Sequence, residues 1–163
     1  MKKILFLLFF LSFTTFIKAQ ENSRWKGYFS YNEIIDVAAE SPNVYAATIN
    51  AILQNNLSTN NQNIINSING LKAENITCLH YSPTFNLKIV GNSNGLLLIV
   101  KPDGKITEKT AIIEELPVPA NTKRINHLME HDGKLYIAAD YGISVLDLSN
   151  LEFISTYFIG TNG

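Results

Sequence analysis

The strongest constraint on this chain is a repeat of short apolar segments. Ile34-Ile35-Asp36-Val37 is followed ten residues on by Val44-Tyr45-Ala46-Ala47, and Ile76-Thr77-Cys78-Leu79 eleven residues on by Leu87-Lys88-Ile89-Val90. Ile125-Asn126-His127-Leu128 precedes Leu135-Tyr136-Ile137-Ala138 at the same spacing of ten, and Ile34, Ile76 and Ile125 are 42 and then 49 residues apart. A third apolar segment completes each unit: Ala51 to Leu53, Leu96 to Val100, and Ile143 to Leu148. Runs this short, rich in β-branched and aromatic residues, read as strands. Asn92-Ser93-Asn94-Gly95, Pro102-Asp103-Gly104 and Asp132-Gly133 lie between them and supply residues that tolerate tight or left-handed backbone. The fold class is therefore all-β. A period of about 40 to 50 residues with several strands per unit is that of β-propeller blades, small sheets that bury their faces against neighbours.

The expectation is an incomplete β-propeller of about three blades of antiparallel strands, occupying residues 20–163, with blades near 25–72, 73–121 and 122–163. A ring closes with at least about four blades. Three would leave apolar sheet faces without a neighbour at both ends, so the chain reads as part of a larger protein, and sticky in isolation. The ambiguous segment is Asn50 to Ile68, where Ile52, Leu53, Leu57, Ile64, Ile65 and Ile68 are interrupted by Asn55, Asn56, Asn60, Asn61, Asn63 and Asn66. That much asparagine opposes a helix and favours a long turn between strands.

The first nineteen residues are a separate object. Lys2 and Lys3 precede the apolar run Ile4 to Ile17, and Ala19 stands before Gln20, the three parts of a secretory signal peptide spanning 1–19. Its 14 apolar-run residues fall short of the roughly 20 that cross a bilayer as a helix, which argues against a transmembrane anchor. Without this leader the chain has 10 Lys+Arg against 14 Asp+Glu, a net charge of -4, and no overall electrostatic pull toward nucleic acid. The single cysteine, Cys78, cannot form an internal bridge and reads as a small buried hydrophobe.

Motifs with chemical content are few. His127-Leu128-Met129-Glu130-His131 spells the H-x-x-E-H pattern of inverted zinc peptidases, which requires a helix so that both histidines share a face. On a strand, positions four apart are about 13 Å distant, too far for one metal ion, so the match reads as coincidental. One later glutamate, Glu152, follows it. Cys78 and His80 lie at strand spacing, but two such residues are too few for a metal site. Glu114-Glu115 fits paired carboxylates for glycoside cleavage and a solvated edge alike. Trp25, Tyr28, Phe29 and Tyr31 suit blade packing better than a sugar platform, and Asn55 to Asn69 suits a solvated loop better than a polar pocket. No Gly-x-Gly-x-x-Gly, Walker A or Cys-x-x-Cys pattern occurs. The reading is non-enzymatic, with no catalytic, cofactor or metal residue assigned, no cofactor, and the binding residues unassigned.

Asn69-Gly70-Leu71-Lys72-Ala73-Glu74-Asn75-Ile76, Leu87-Lys88-Ile89-Val90-Gly91 and Asn94-Gly95-Leu96 resemble the repeat of two-component-regulator-type propellers. Trp25-Lys26-Gly27-Tyr28-Phe29-Ser30-Tyr31, leading into Ile34-Ile35-Asp36-Val37 and Val44-Tyr45-Ala46-Ala47, is similar to the amino-terminal propeller of PorZ-like components of the Bacteroidetes type IX secretion machinery. Tyr136-Ile137-Ala138-Ala139-Asp140-Tyr141-Gly142-Ile143 fits the same pattern one blade later. That resemblance implies an interaction or scaffold module in a cell-surface attachment complex. It implies protein partners from that complex, lipopolysaccharide sugar as a further ligand, and export to the periplasm or, in full-length relatives, the cell surface. The alternative it implies is the ligand-sensing periplasmic propeller of a hybrid two-component regulator.

The leader generates the first prediction. Protein recovered from the secreted or periplasmic fraction should begin near Gln20 by mass spectrometry, and a retained Met1 would refute the export signal.

Overall fold

The computed structural model describes residues 31, 33–73 and 75–159. Residues 1–19, expected to be a leader, and Trp25, Tyr28 and Phe29 lie outside the described residues. Twelve strands form three four-stranded antiparallel sheets among them. The first sheet holds β1 (Asp36–Glu40), β2 (Asn43–Ala47), β3 (Ile52–Asn56) and β4 (Gln62–Ile65). The second holds β5 (Ile76–Ser82), β6 (Leu87–Asn92), β7 (Leu97–Val100) and β8 (Ile106–Lys109), and the third β9 (Ile125–His131), β10 (Lys134–Ala139), β11 (Gly142–Asp147) and β12 (Glu152–Phe158). Each sheet is a meander in chain order. These are three blades of a β-propeller, as the period requires.

The turns form where the residues tolerate them. Asp132 and Gly133 both take positive φ, 49° and 71°, the backbone that joins two twisted strands through a two-residue turn. The first sheet departs from expectation in two places. Ile34 and Ile35 precede the strand, which begins at Asp36, although the Ile35 amide still donates to the Ala47 carbonyl at 2.8 Å. The long turn expected over Asn50 to Ile68 is instead a hairpin, β3 paired with β4, followed by a single 3-10 turn at Ser67–Asn69. Asparagine here serves the hairpin: the Asn56 carboxamide oxygen accepts from the Ser58 and Thr59 amides, both at 3.0 Å, and Asn60 takes φ 56°. Pairing with β2 overrides the low strand propensity of the asparagines.

The first strand of each sheet lies innermost in the fan, β1 beside β5 and β5 beside β9. Polar contacts tie them: the Leu79 amide donates to Asp36 Oδ2 at 2.8 Å, the Ile76 amide to the Ile49 carbonyl at 2.9 Å, and the Thr77 hydroxyl to the Ile125 carbonyl. The core has two layers. One, between the first and second sheets, contains Tyr45, Ile52, Leu71, Val90 and Leu98; the other, between the second and third, contains Cys78, Ile89, Ile99, Ile125, Leu135 and Ile137. The second sheet is consequently covered on both sides, and every residue of β6 and β7 is buried.

The outer sheets bury one face each. Val37, Ala46, Leu53 and Ile64 stand opposite one another across β1 to β4 on the side away from the second sheet, with Val37 63% exposed. Met129 and Tyr157 are exposed on the third sheet. No helix among the described residues is long and apolar enough to cross a membrane.

Gly91 sits where the second and third sheets approach closely. A Cβ there would lie 2.8 Å from Cys78 Sγ and would collide with the Ile125 side chain. Gly91→Ala should therefore cost about 1–3 kcal/mol through overpacking. A thermal melt reads the loss, and an unchanged melting temperature would mean that the two sheets separate freely at this point.

Candidate functional site

The strand alternation distributes the residues singled out in the sequence. His127, Leu128, Met129, Glu130 and His131 all lie on β9, so the two histidines share one face and Glu130 points to the other. Leu128 enters the core between the second and third sheets. His131 Nε2 sits 3.3 Å from the Asp132 carboxylate in the adjoining turn, both side chains largely exposed. Glu130 instead reaches the neighbouring sheet, where its Oε2 lies 3.0 Å from His80 Nε2. The strand geometry separates the letters of the zinc-peptidase pattern, and no group of three or more metal-ligating side chains is gathered among the described residues.

Cys78 and His80 do share a face of β5, toward the third sheet, but their surroundings differ. Cys78 is packed in apolar core, and burial pushes its thiol up to about 11, partly offset by the Thr77 hydroxyl. His80 makes the cross-sheet contact with Glu130. Glu114 closes the helical turn Ala111–Glu114, its carboxylate accepting from the Thr110 hydroxyl at 2.6 Å. Tyr31 accepts from Asn66 Nδ2 at 3.3 Å.

Among the described residues a cleft of about 450 Å³ lies at one rim between the first and second sheets. Two facing cross-strand rows build it. On the first sheet the row is Ala38, Tyr45, Gln54 and Asn63; on the second it is Tyr81, Lys88, Val100 and Ile106. One row deeper, Ala47, Ile52 and Ile65 face Leu79, Val90 and Leu98, and the contact is closed and apolar. The cleft opens where that packing turns polar.

Tyr45 and Tyr81 stack across the gap with ring centroids 4.6 Å apart and planes 23° from parallel. Lys88 Nζ lies 5.3 Å from the Tyr45 ring centroid, a cation–π contact. Burial pushes the Tyr45 phenol up to about 12, with Tyr81 acting in the same direction, and pulls the Lys88 ammonium below its ordinary value. Lys88 is 8% exposed, and among the described residues no carboxylate lies within ion-pair distance of it. The amides around it are held by their oxygens. Asn43 Oδ1 accepts from Gln54 Nε2 at 3.2 Å and Asn56 Nδ2 at 3.3 Å, Asn86 Oδ1 from the Tyr81 hydroxyl at 2.9 Å, and Asn69 Oδ1 from the Asn66 amide at 3.1 Å. Asn63 and Asn69 belong to the stretch expected to be a solvated loop, and they line this cleft instead. The sequence did carry one signal for it, a lone lysine inside the apolar run Leu87 to Val90.

Comparison with known proteins bears on this architecture. The family model described as the type IX secretion PorZ N-terminal β-propeller domain matches residues 44–163. Among solved structures, PorZ, described as an essential bacterial surface component of the type IX secretion system of Porphyromonas gingivalis, is similar with a TM-score of 0.72 and 19% identity. The match covers 82% of this chain and 18% of that one. The extracellular domain of the B. thetaiotaomicron protein BT4673, described as a hybrid two-component system, is similar at a TM-score of 0.62 and 19% identity, over 78% of this chain and 17% of that one. That of BT3049 from the same organism follows at 0.60 and 22%, over 88% and 20%. The chain thus spans less than a fifth of the PorZ and BT4673 chains. A sequence comparison with curated proteins returns no match.

The Cys78 environment is directly testable. With its thiol held near 11, labelling by a disulfide reagent at pH 8 should be at least tenfold slower in folded protein than in urea. Equal rates in the two states would place Cys78 outside the core.

Proposed function

The chain belongs to the family of type IX secretion PorZ N-terminal β-propeller domains, and on that basis we propose that it works as a non-enzymatic interaction module, exported across the inner membrane, in an attachment complex at the cell envelope. The observation that carries this reading is the family match over residues 44–163, which takes in the second and third sheets whole and the first from β2 onward except Asn43. Rigid sheets with polar loops at their rims suit recognition, because the scaffold fixes the loop residues before a partner arrives. The partners on this reading are other protein components of the complex, with lipopolysaccharide sugar as a further ligand. Periplasmic or surface placement follows from the leader and the partners together.

A second reading is a ligand-sensing propeller of a hybrid two-component regulator, supported by the likeness to the BT4673 and BT3049 extracellular domains. A gene deletion in the source organism separates the two. The attachment reading expects secreted cargo to remain unanchored, recovered in the medium or periplasm and not on the surface. Normal cargo anchoring, accompanied by lost transcriptional induction on one carbon source, would replace it with the sensor.

A further inference from the structure

We propose that the cleft between the first and second sheets is a pocket for a carboxylate side chain on an acidic polypeptide segment. The proposal rests on the interaction-module reading and specifies the chemistry that a protein partner presents at this rim.

The first argument is the Lys88 charge. Every residue of β6 is buried, and an apolar side chain at this position would pack without a desolvation cost, yet the strand places an ammonium there. Nothing described in the protein neutralises it except the face of Tyr45. A buried cation that opens into a cleft without an internal counter-charge is arranged to receive one from outside. Lys101 also lines the cleft, and no aspartate or glutamate does. This is a local exception in a chain whose residues after the leader carry a net charge of -4.

The second argument is hydrogen-bond polarity. The oxygens of Asn43, Asn69 and Asn86 each already accept at least one hydrogen bond from within the protein, whereas their carboxamide N–H groups are still to be offered. Among the described residues none of those three groups is engaged as a donor. These three amides and the two lysines thus offer donors and cations to an ionised carboxylate, which only accepts.

The same features disfavour a sugar as the occupant. The Tyr45 ring, 2% exposed and committed to Tyr81 and Lys88, offers no open face for a pyranose to stack on. A single buried ammonium also balances the one charge of a carboxylate better than the near-double charge of a phosphate, while Lys101 meets a second acid of the same segment.

The test is fluorescence anisotropy on the full-length protein, with a labelled Glu/Asp hexapeptide and its Gln/Asn counterpart as probes. The acidic peptide should bind at least tenfold more tightly than the neutral one, and more weakly as salt is raised. Lys88→Met should reduce its affinity at least tenfold with the thermal melt preserved, while Lys134→Met on the third sheet leaves it unchanged. Asn86→Asp, at an exposed turn position, should cause the same loss by supplying Lys88 with an internal counter-charge, and it decides the question if Lys88→Met fails to fold. Undiminished binding in a folded Lys88→Met or Asn86→Asp protein overturns the proposal. So does absence of acidic-peptide binding, or preferential binding of glucuronate or glucose 6-phosphate through Lys88. If those failures occur while deletion still leaves cargo unanchored, the pocket assignment falls and the attachment role stands.

Discussion

Face-to-face burial of the second sheet between the first and third is the contact from which the rest of the structure follows. β6 and β7 are buried along their whole length and, apart from Lys88 and Asn92, carry no polar side chain on either face, whereas β10 alternates buried and less buried residues because only one of its faces is covered. The packing has little slack. At Gly91 even a methyl group would meet Ile125 and Cys78, so the separation of the second and third sheets is set by a residue with no side chain. Polar groups then fix the relative position of the inner strands: Asp36 accepts the Leu79 amide, and His80 meets Glu130.

The same stacking explains why a cleft exists where it does. Sheets twist, so faces in close contact along one row diverge along the next. Between the first and second sheets the contact is apolar at Ala47, Ile52, Val90 and Leu98, and one row outward it gives way to Tyr45, Gln54, Tyr81 and Lys88. The concavity thus belongs to two sheets at once. A binding surface assembled in this way is as rigid as the blades, which suits a module that holds partners.

The outer faces show the cost of ending a fan. Val37 and Ile64 on the first sheet, with Met129 and Tyr157 on the third, are large side chains left accessible where the second sheet has a neighbour on each side. In a closed ring each blade covers the next, and apolar rows such as Val37, Ala46, Leu53 and Ile64 are the kind of surface that such a neighbour buries.

Local chemistry made much of the fold legible. The period of 42 and 49 residues, the Asp132-Gly133 and Asn94-Gly95 turns, and the β-branched runs specify hairpins and their repetition, because strand pairing and turn geometry depend on residues close in sequence. The asparagine-rich stretch was misread for the complementary reason: propensity favoured a turn, while pairing of β3 with β2 and β4 supplied the ladder that propensity omits. The H-x-x-E-H letters could be discounted from strand spacing alone, but the destination of Glu130, a histidine 50 positions away, depends on how two sheets face each other. Lys88 is a charge in an apolar run, a local signal that the reading of the strands did not use. Its setting against Tyr45, Asn43 and Asn69 was decided only by the tertiary structure, because these residues come from separate blades and no local rule fixes the register of one sheet upon another.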